Sequence, residues 1–247
     1  MFKKAILAAT LGLTLGAAQA VPVLHQGGQG SYTTNSLGGS AWSTFTSMMT
    51  AQHTLTTTAS FSNLSQLDLY GAVWVNQELY GSLSASEVSA LTAYISEGHK
   101  VVLIGENSSW NAWNSSIMSV VGGAMTTSDC SWSVGSALVS NSLTDGVGQV
   151  QNICGSQVIA AAGGVQMLFS NNMAGLYKVG AGEALVIADS NWNDNSYINS
   201  YNNIAFAQNV IDWLGEPLDG AVPEPGTLAL LGLGLAGLHA SRRRKAA

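Results

Sequence analysis

The sequence predicts an α/β domain, a three-layer sandwich with a mostly parallel sheet. Apolar strands alternate along the chain with segments of helical periodicity, which is typical of α/β folds. Residues 72–75 and 101–104 are continuously apolar, as expected for parallel strands that are covered on both faces. Residues 203–214 repeat apolar side chains at helical spacing. We expect one domain over residues 21–216, flanked by an N-terminal signal helix and a C-terminal transmembrane helix.

The first half of this domain supplies several of the expected elements. Strands are predicted at residues 21–24, 53–57, 72–75 and 101–104. Residues 41–51 predict a helix after a Gly/Ser-rich loop. Ser84, with Glu87 three positions later, predicts a capping box that starts a second helix, and Gly98 ends it.

The second half begins with a segment that is harder to interpret. Residues 124–160 are rich in Ser, Gly and Val without strong periodicity, and we expect a loop-rich insertion there. Residues 165–169 and 176–179 predict a hairpin, and residues 184–188 a further strand. The C-terminal helix, residues 203–214, completes the domain, and residues 217–222 form a linker.

The N-terminus has the pattern of a secretory signal peptide, residues 1–20. Two lysines precede an apolar run, which ends in the cleavage pattern Ala18-Gln19-Ala20. We therefore expect export, with a mature chain that starts at Val21. A retained N-terminal anchor is the alternative, and the short apolar run disfavours it.

The C-terminus, residues 223–247, carries a second targeting pattern. Two prolines stop any incoming helix, a short apolar segment follows at residues 227–240, and a basic cluster ends the chain. The residues that define the pattern are Val222, Pro223, Glu224, Pro225, Arg242, Arg243, Arg244 and Lys245.

This tail resembles the PEP-CTERM sorting signal of Gram-negative bacteria. The resemblance implies recognition by exosortase, an integral membrane processing enzyme, in bacteria that make exopolysaccharide. It also implies an inner-membrane intermediate, followed by release to the periplasm, outer surface or extracellular matrix. An ordinary membrane anchor, or an amphiphilic tail that is not processed, is the alternative.

Charge is distributed unevenly along the chain. Six of the eight Lys and Arg residues lie in the two targeting segments. Between them stand two lysines and thirteen acidic residues, a formal charge of −11, whereas the whole chain carries −6. Phosphate binding requires clustered Lys and Arg, so this composition excludes nucleic acid as a partner.

The two cysteines, Cys130 and Cys154, are expected to form a disulfide, because the export signal places the chain in an oxidising compartment. A catalytic thiol is the sharper alternative. Neither cysteine follows a predicted strand and precedes a predicted helix, and no histidine is near in sequence, so the thiol is disfavoured.

The middle of the chain resembles class I glutamine-amidotransferase-like domains. The resemblance is carried by residues 67–76, with the strand AVWVN; by residues 91–106, LTAYISEGHKVVLIGE; and by residues 188–214, where ADSN precedes the last helix. It implies the fold. Amidotransferases of this fold place a nucleophilic cysteine at a sharp strand-to-helix turn, and this chain has none there, so the resemblance does not extend to that activity.

Polar residues follow the predicted strands at the edge where ligands bind in parallel α/β sheets. They are Asn76, Glu78, Glu106, Asn107, Asp189, Asn191 and Asp194. Their oxygens suit a hard cation such as Ca²⁺, although the usual calcium-loop pattern is absent. Turn formation and helix capping are the alternative role for the same residues. Glu106 with Asp189 or Asp194 is the candidate catalytic pair.

Aromatic residues are expected on loops near the same edge, where exposed rings among Asn and Asp would suit sugar binding. They are Trp110, Trp113, Trp132, Trp192, Tyr197 and Tyr201. Of these, Trp110 and Trp192 join Asn76, Glu106 and Asn191 as candidate ligand-binding residues. The alternative is that the tryptophans belong to the core, as we expect for Trp74 and Trp213.

Three function classes are compatible with this sequence. The targeting patterns and the lack of a recognisable catalytic motif favour a non-catalytic exported surface or matrix protein, associated with exopolysaccharide. A carboxylate-based hydrolase acting on extracellular glycan or peptide is the second class. A ligand-binding sensor on the same scaffold is the third.

Overall fold

The computed structural model describes residues 19–27, 34–77, 81–126, 130–154, 157–159 and 164–218. By contacts between Cα atoms the chain divides after Glu216, and the fold below is that of the unit ending there. Both targeting segments lie outside the described residues, apart from Gln19 and Ala20, which are exposed.

Strands and helices alternate up to residue 121 of the described chain, and a run of strands then precedes the last helix. The strands are β1 Pro22–Gln26, β2 Thr54–Thr58, β3 Ala72–Val75, β4 Lys100–Ile104, β5 Ala124–Thr126, β6 Trp132–Ser136, β7 Gln149–Ile153, β8 Gln157–Ile159, β9 Val165–Met167, β10 Ala174–Val179 and β11 Gly182–Ile187. The helices are α1 Ser43–Gln52, α2 Leu64–Leu67, α3 Ala85–Ser96, α4 Asn111–Val121 and α5 Asn203–Gly215.

Seven strands form one sheet in the order β2-β1-β3-β4-β11-β10-β9. The five strands from β2 to β11 pair in parallel, and β10 and β9 continue the sheet antiparallel. The predicted mostly parallel α/β sheet is therefore confirmed. The predicted hairpin is confirmed as β9 and β10, and the other described strands form two antiparallel pairs, β5–β8 and β6–β7.

Helices cover both faces of the sheet because its central strands are apolar on both sides. Val102 and Ile104 of β4 belong to a core that also contains side chains of α1 and α5. Val101 and Leu103, pointing the other way, belong to a second core with side chains of α3 and α4. The capping box of α3 is also confirmed, since the Ser84 N–H donates to the Glu87 carboxylate at 2.9 Å.

Two parts of the chain are more ordered than the sequence predicted. Helix α4 was missed because its Asn and Ser residues are weak helix formers, although Trp113, Ile117 and Val120 lie at helical spacing. The segment predicted to be loop-rich contains β5 to β8. The β6–β7 pair was missed because β6 exposes its apolar residues, Trp132 and Val134, and turns Ser133 and Gly135 inward, which reverses the usual strand pattern.

A helix that crosses a membrane needs roughly 20 predominantly apolar residues. None of the helices in this part of the chain is long and apolar enough to cross a membrane. The predicted signal helix and the predicted transmembrane segment, residues 227–240, lie outside the described residues.

A buried lysine joins the central sheet to the end of the last helix. Lys100, the first residue of β4, is 4% exposed. Its ammonium group donates to the carbonyl oxygens of Trp213 and Glu216, at 2.8 Å for Glu216. It also lies 4.7 Å from the centroid of the Trp213 ring. A cation at a helix C-terminus is favourable because the last carbonyls carry partial negative charge.

Replacing this lysine tests the contribution of the contact. We expect Lys100→Met to lower the free energy of unfolding by roughly 1–3 kcal/mol, because it removes charged hydrogen bonds to buried carbonyls. Lys178→Met is the matched control, since Lys178 is exposed on β10, and it should change stability by less than about 0.5 kcal/mol. Urea denaturation of both variants measures the difference, and equal losses would contradict this account.

Candidate functional site

The carboxyl ends of the central strands bring two acidic residues to one edge of the sheet. Strands β4 and β11 are parallel neighbours, with Ile104 paired to Ile187. Glu106 follows β4 by two residues, and Asp189 follows β11 by two. Because the register places these positions side by side, the charge of Glu106 acts directly on Asp189.

Glu106 is buried, with 2% of its surface exposed. The Ser190 hydroxyl donates a short hydrogen bond to Oε1, and the Asn107 N–H donates to Oε2 at 3.3 Å. Burial raises the pKa of Glu106 to about 7, although these donors act in the opposite direction. Glu106 is therefore substantially protonated near neutral pH.

Asp189 is fully buried. Its Oδ1 accepts from the Asn191 N–H at 2.9 Å, and the backbone of Ile153 also donates to the carboxylate. Its Oδ2 has no hydrogen-bond partner among the described residues. Burial, followed by the charge of Glu106, raises the pKa of Asp189 well above its ordinary value. The two carboxyls therefore titrate as a pair, and ionisation of one opposes ionisation of the other.

Helix α4 holds the backbone that carries Glu106. Asn114 accepts from the Glu106 N–H at 2.9 Å and donates to its carbonyl at 2.7 Å. Trp113 donates through its indole N–H to the Ile104 carbonyl at 2.8 Å. Sequence reasoning missed Asn114 with its helix. It also missed Ser190, although the Asp-Ser step after a buried strand is a usable signal.

The predicted disulfide between Cys130 and Cys154 is confirmed. Cys154 directly follows Ile153, whose backbone donates to Asp189. The Asn107 side chain lies 3.6 Å from the Cys154 sulfur. The disulfide thus fixes the segment that covers the carboxyl pair. It also leaves no free thiol for nucleophilic catalysis, since these are the only cysteines in the chain.

Other predicted site residues occupy structural positions around this pair. Asn76, just after β3, donates to the carbonyl of Gln26, the last residue of β1, at 2.7 Å. Asn191 accepts from the Asn35 side chain at 3.0 Å. The Asp194 carboxylate accepts from the Ser196 N–H at 2.7 Å. These contacts are typical of turn-forming Asn and Asp.

The sequence predicts no cofactor at this edge, and Ca²⁺ binding is the alternative to turn formation and helix capping. In the part of the chain that the structure describes, no three His, Cys, Asp or Glu side chains come together as a metal site. Glu78, which the sequence placed at the same edge, lies outside that part.

The predicted exposed aromatic platform is wrong for three of its tryptophans. Trp110, Trp113 and Trp192 expose 4%, 1% and 0% of their surface. Trp192 packs against Phe45 and Phe206, with ring centroids 5.9 and 5.0 Å apart. Their loops and helix fold onto the sheet, so the indoles complete its two cores. Trp110 and Trp192 cannot offer a surface to a sugar in this arrangement.

The remaining aromatic residues follow the sequence expectations more closely. Trp132 and Tyr201 are exposed, at 65% and 57%. Trp74 and Trp213 are buried, which confirms their assignment to the core.

Comparison with solved structures defines the class of fold. The mmIFT52 N-terminal domain superposes with a TM-score of 0.61 at 11% identity, covering 78% of this chain and 96% of that one. A putative ThuA-like protein from Parabacteroides merdae gives 0.53 at 10% identity, covering 83% and 94%. A second putative ThuA-like protein, from Bacteroides uniformis, gives 0.52 at 13% identity, covering 82% and 95%. The fold is amidotransferase-like, and identities this low establish the fold alone.

Comparison of the sequence with family models identifies the C-terminal tail. The PEP-CTERM protein-sorting motif matches residues 221–245, which confirms the predicted resemblance. No curated protein matches the chain. The motif supports an exported protein that is processed at the membrane by an exosortase-type enzyme.

The buried carboxyl pair predicts that stability decreases as pH rises. The folded-state pKa of Glu106, about 7, exceeds its ordinary value of 4.5. Between these values the folded protein retains a proton that the unfolded chain releases, so the free energy of unfolding falls with pH, by roughly 3 kcal/mol for Glu106 alone.

Glu106→Gln should reduce this pH dependence, because the amide does not titrate; Asp189, which stays buried, supplies the remainder. Urea denaturation at about pH 5 and about pH 8 measures the difference between the variant and the parent. Glu97→Gln, an exposed carboxylate at the end of α3, is the control and should keep the parental slope. An unchanged slope in Glu106→Gln would show that Glu106 ionises normally.

Proposed function

We propose that this chain is a non-catalytic exported protein of the cell surface or extracellular matrix, associated with exopolysaccharide in a Gram-negative bacterium. The observation that carries the proposal is the enclosure of the carboxyl pair, the strongest catalytic candidate in the sequence. Glu106 and Asp189 expose 2% and 0% of their surface. Ser190, Asn107 and the backbone of Ile153 already hydrogen-bond to these carboxyl groups.

The distribution of charge supports the same proposal. Removal of both targeting segments takes away six of eight basic residues and leaves a formal charge of −11. A domain of this charge repels anionic membranes and nucleic acids, so release from the inner membrane is favourable once the basic tail is gone. The proposed route is an inner-membrane intermediate, processing by the exosortase-type enzyme, and release to the surface.

Intact-mass analysis of the surface form from the native host tests this route. We expect a chain that begins at Val21 and lacks residues 242–245. A variant with Pro223→Ala and Pro225→Ala should instead remain with the membrane fraction and keep the tail, because the processing signal is lost. A surface form that retains residues 242–245 would contradict the proposed processing.

A carboxylate-based hydrolase is the second candidate, and one observation favours it. A carboxyl with a pKa of about 7 beside a second acidic group has the protonation behaviour of a general acid. On this hypothesis the exported protein releases reducing ends from extracellular polysaccharide, and Glu106→Gln lowers that rate at least about 100-fold. No release by the parent, or equal release by the variant, would exclude a catalytic Glu106.

A further inference from the structure

The β6–β7 hairpin separates a buried face from a solvent-facing face. Gly135 of β6, with Val150 and Asn152 of β7, is buried toward the body of the domain. Directly opposed residues in an antiparallel pair share a face. The other face, called here the hairpin outer face, therefore carries the pairs Trp132 with Ile153, Val134 with Gln151, and Ser136 with Gln149. Trp132 and Val134 are exposed on it, whereas Ile153, at the end nearest the carboxyl pair, is buried.

Trp132 dominates this face. It is 65% exposed, whereas most other tryptophans among the described residues are almost fully buried. The Tyr197 ring meets it edge-on, with centroids 5.8 Å apart and planes at 78°. Tyr201, 57% exposed, follows in the same loop and holds a positive φ of 50°. A bulky residue in the left-handed region is uncommon and marks a constrained position.

The loop that carries these tyrosines is fixed to the hairpin. The Asn202 side chain accepts from the Gly148 and Gln149 N–H groups, each at 3.1 Å. The buried Asn203 side chain accepts from the Gln151 N–H at 2.8 Å and donates to its carbonyl at 3.1 Å. Trp132 and the tyrosines are therefore held in a fixed relation, so little conformational entropy is lost when a ligand binds.

The chemistry of the hairpin outer face selects a neutral ligand. Its six side chains are apolar, hydroxyl or amide groups, and none is charged. The surrounding domain has a formal charge of −11, which disfavours polyanions. An uncharged sugar ring offers an apolar C–H face for an indole and hydroxyls for the glutamine amides at its rim.

We propose that the hairpin outer face, with Tyr197 and Tyr201 beside it, binds a neutral polysaccharide chain through Trp132. This site rests on the exopolysaccharide association given under Proposed function. It replaces the platform at Trp110 and Trp192, because those indoles are buried.

Affinity electrophoresis of the exported protein tests the site. Gels containing hydroxyethylcellulose, dextran or the polysaccharide of the native host provide the neutral and natural probes, and alginate provides an anionic one. We expect retardation by at least one of the first three and none by alginate. Trp132→Ala should raise the dissociation constant at least about tenfold, as truncation of a central aromatic contact does.

Matched variants separate binding from folding. Leu69→Ala removes a side chain that is 73% exposed outside this face and should bind like the parent. Trp132→Phe keeps a flat ring and should partly restore binding. Tyr201→Asn removes the second exposed ring while retaining a residue that tolerates positive φ. Each variant should keep the parental melting temperature, and Tyr201→Asn tests the face even where Trp132→Ala does not fold.

The outcomes distinguish this site from the broader proposal. If the Trp132→Ala and Tyr201→Asn variants bind host polysaccharide as well as the parent does, the proposed site is wrong and the polysaccharide association still stands. A parent that binds none of the polysaccharides overturns both. If Trp132→Ala changes the oligomeric state and leaves polysaccharide binding unchanged, Trp132 mediates self-association. This result also contradicts the proposed binding site.

Discussion

The proximity of Glu106 and Asp189 is the constraint on which the rest of this structure depends. Parallel pairing of β4 and β11 forces two carboxyl groups into one buried position, where at most one charge is readily accommodated. A buried carboxylate is costly unless donors surround it. The local structure supplies them through Ser190, Asn107 and the backbone of Ile153.

Those donors are positioned by elements from distant parts of the chain. Helix α4 fixes the Glu106 backbone through Asn114, and the disulfide at Cys154 fixes the end of β7. The same strand then places Gln149 and Gln151 on the outer face of the hairpin, with Trp132. Closing the carboxyl pair and presenting an aromatic face are thus two consequences of one disulfide-linked hairpin. This accounts for an exported domain whose potential catalytic groups are enclosed and whose proposed binding surface lies on the outer face of the same hairpin.

The sequence allowed the parallel sheet, the α3 capping box and the edge position of Glu106 and Asp189 to be predicted, because these depend on local periodicity and strand direction. Burial of Trp110 and Trp192 could not be predicted, since it depends on how their loops pack on the sheet. Helix α4 was hidden by residues of low helix propensity, and its Asn114 was hidden with it. The raised pKa values of Glu106 and Asp189 could not be predicted either, because they result from burial, which the spacing of residues in the sequence does not show. The sorting motif could be recognised from the sequence alone because it is a short, linear pattern.

Direct observation of the two carboxyl groups tests the central claim. Carbon-13 NMR of side-chain carboxyls, assigned through Glu106→Gln and Asp189→Asn, reports the protonation of each group as pH changes. The enclosed pair predicts a Glu106 midpoint near 7, with Asp189 titrating well above its ordinary value and responding to the Glu106 substitution. Independent titration of both groups near their ordinary values of 4.5 and 3.8 would contradict this account.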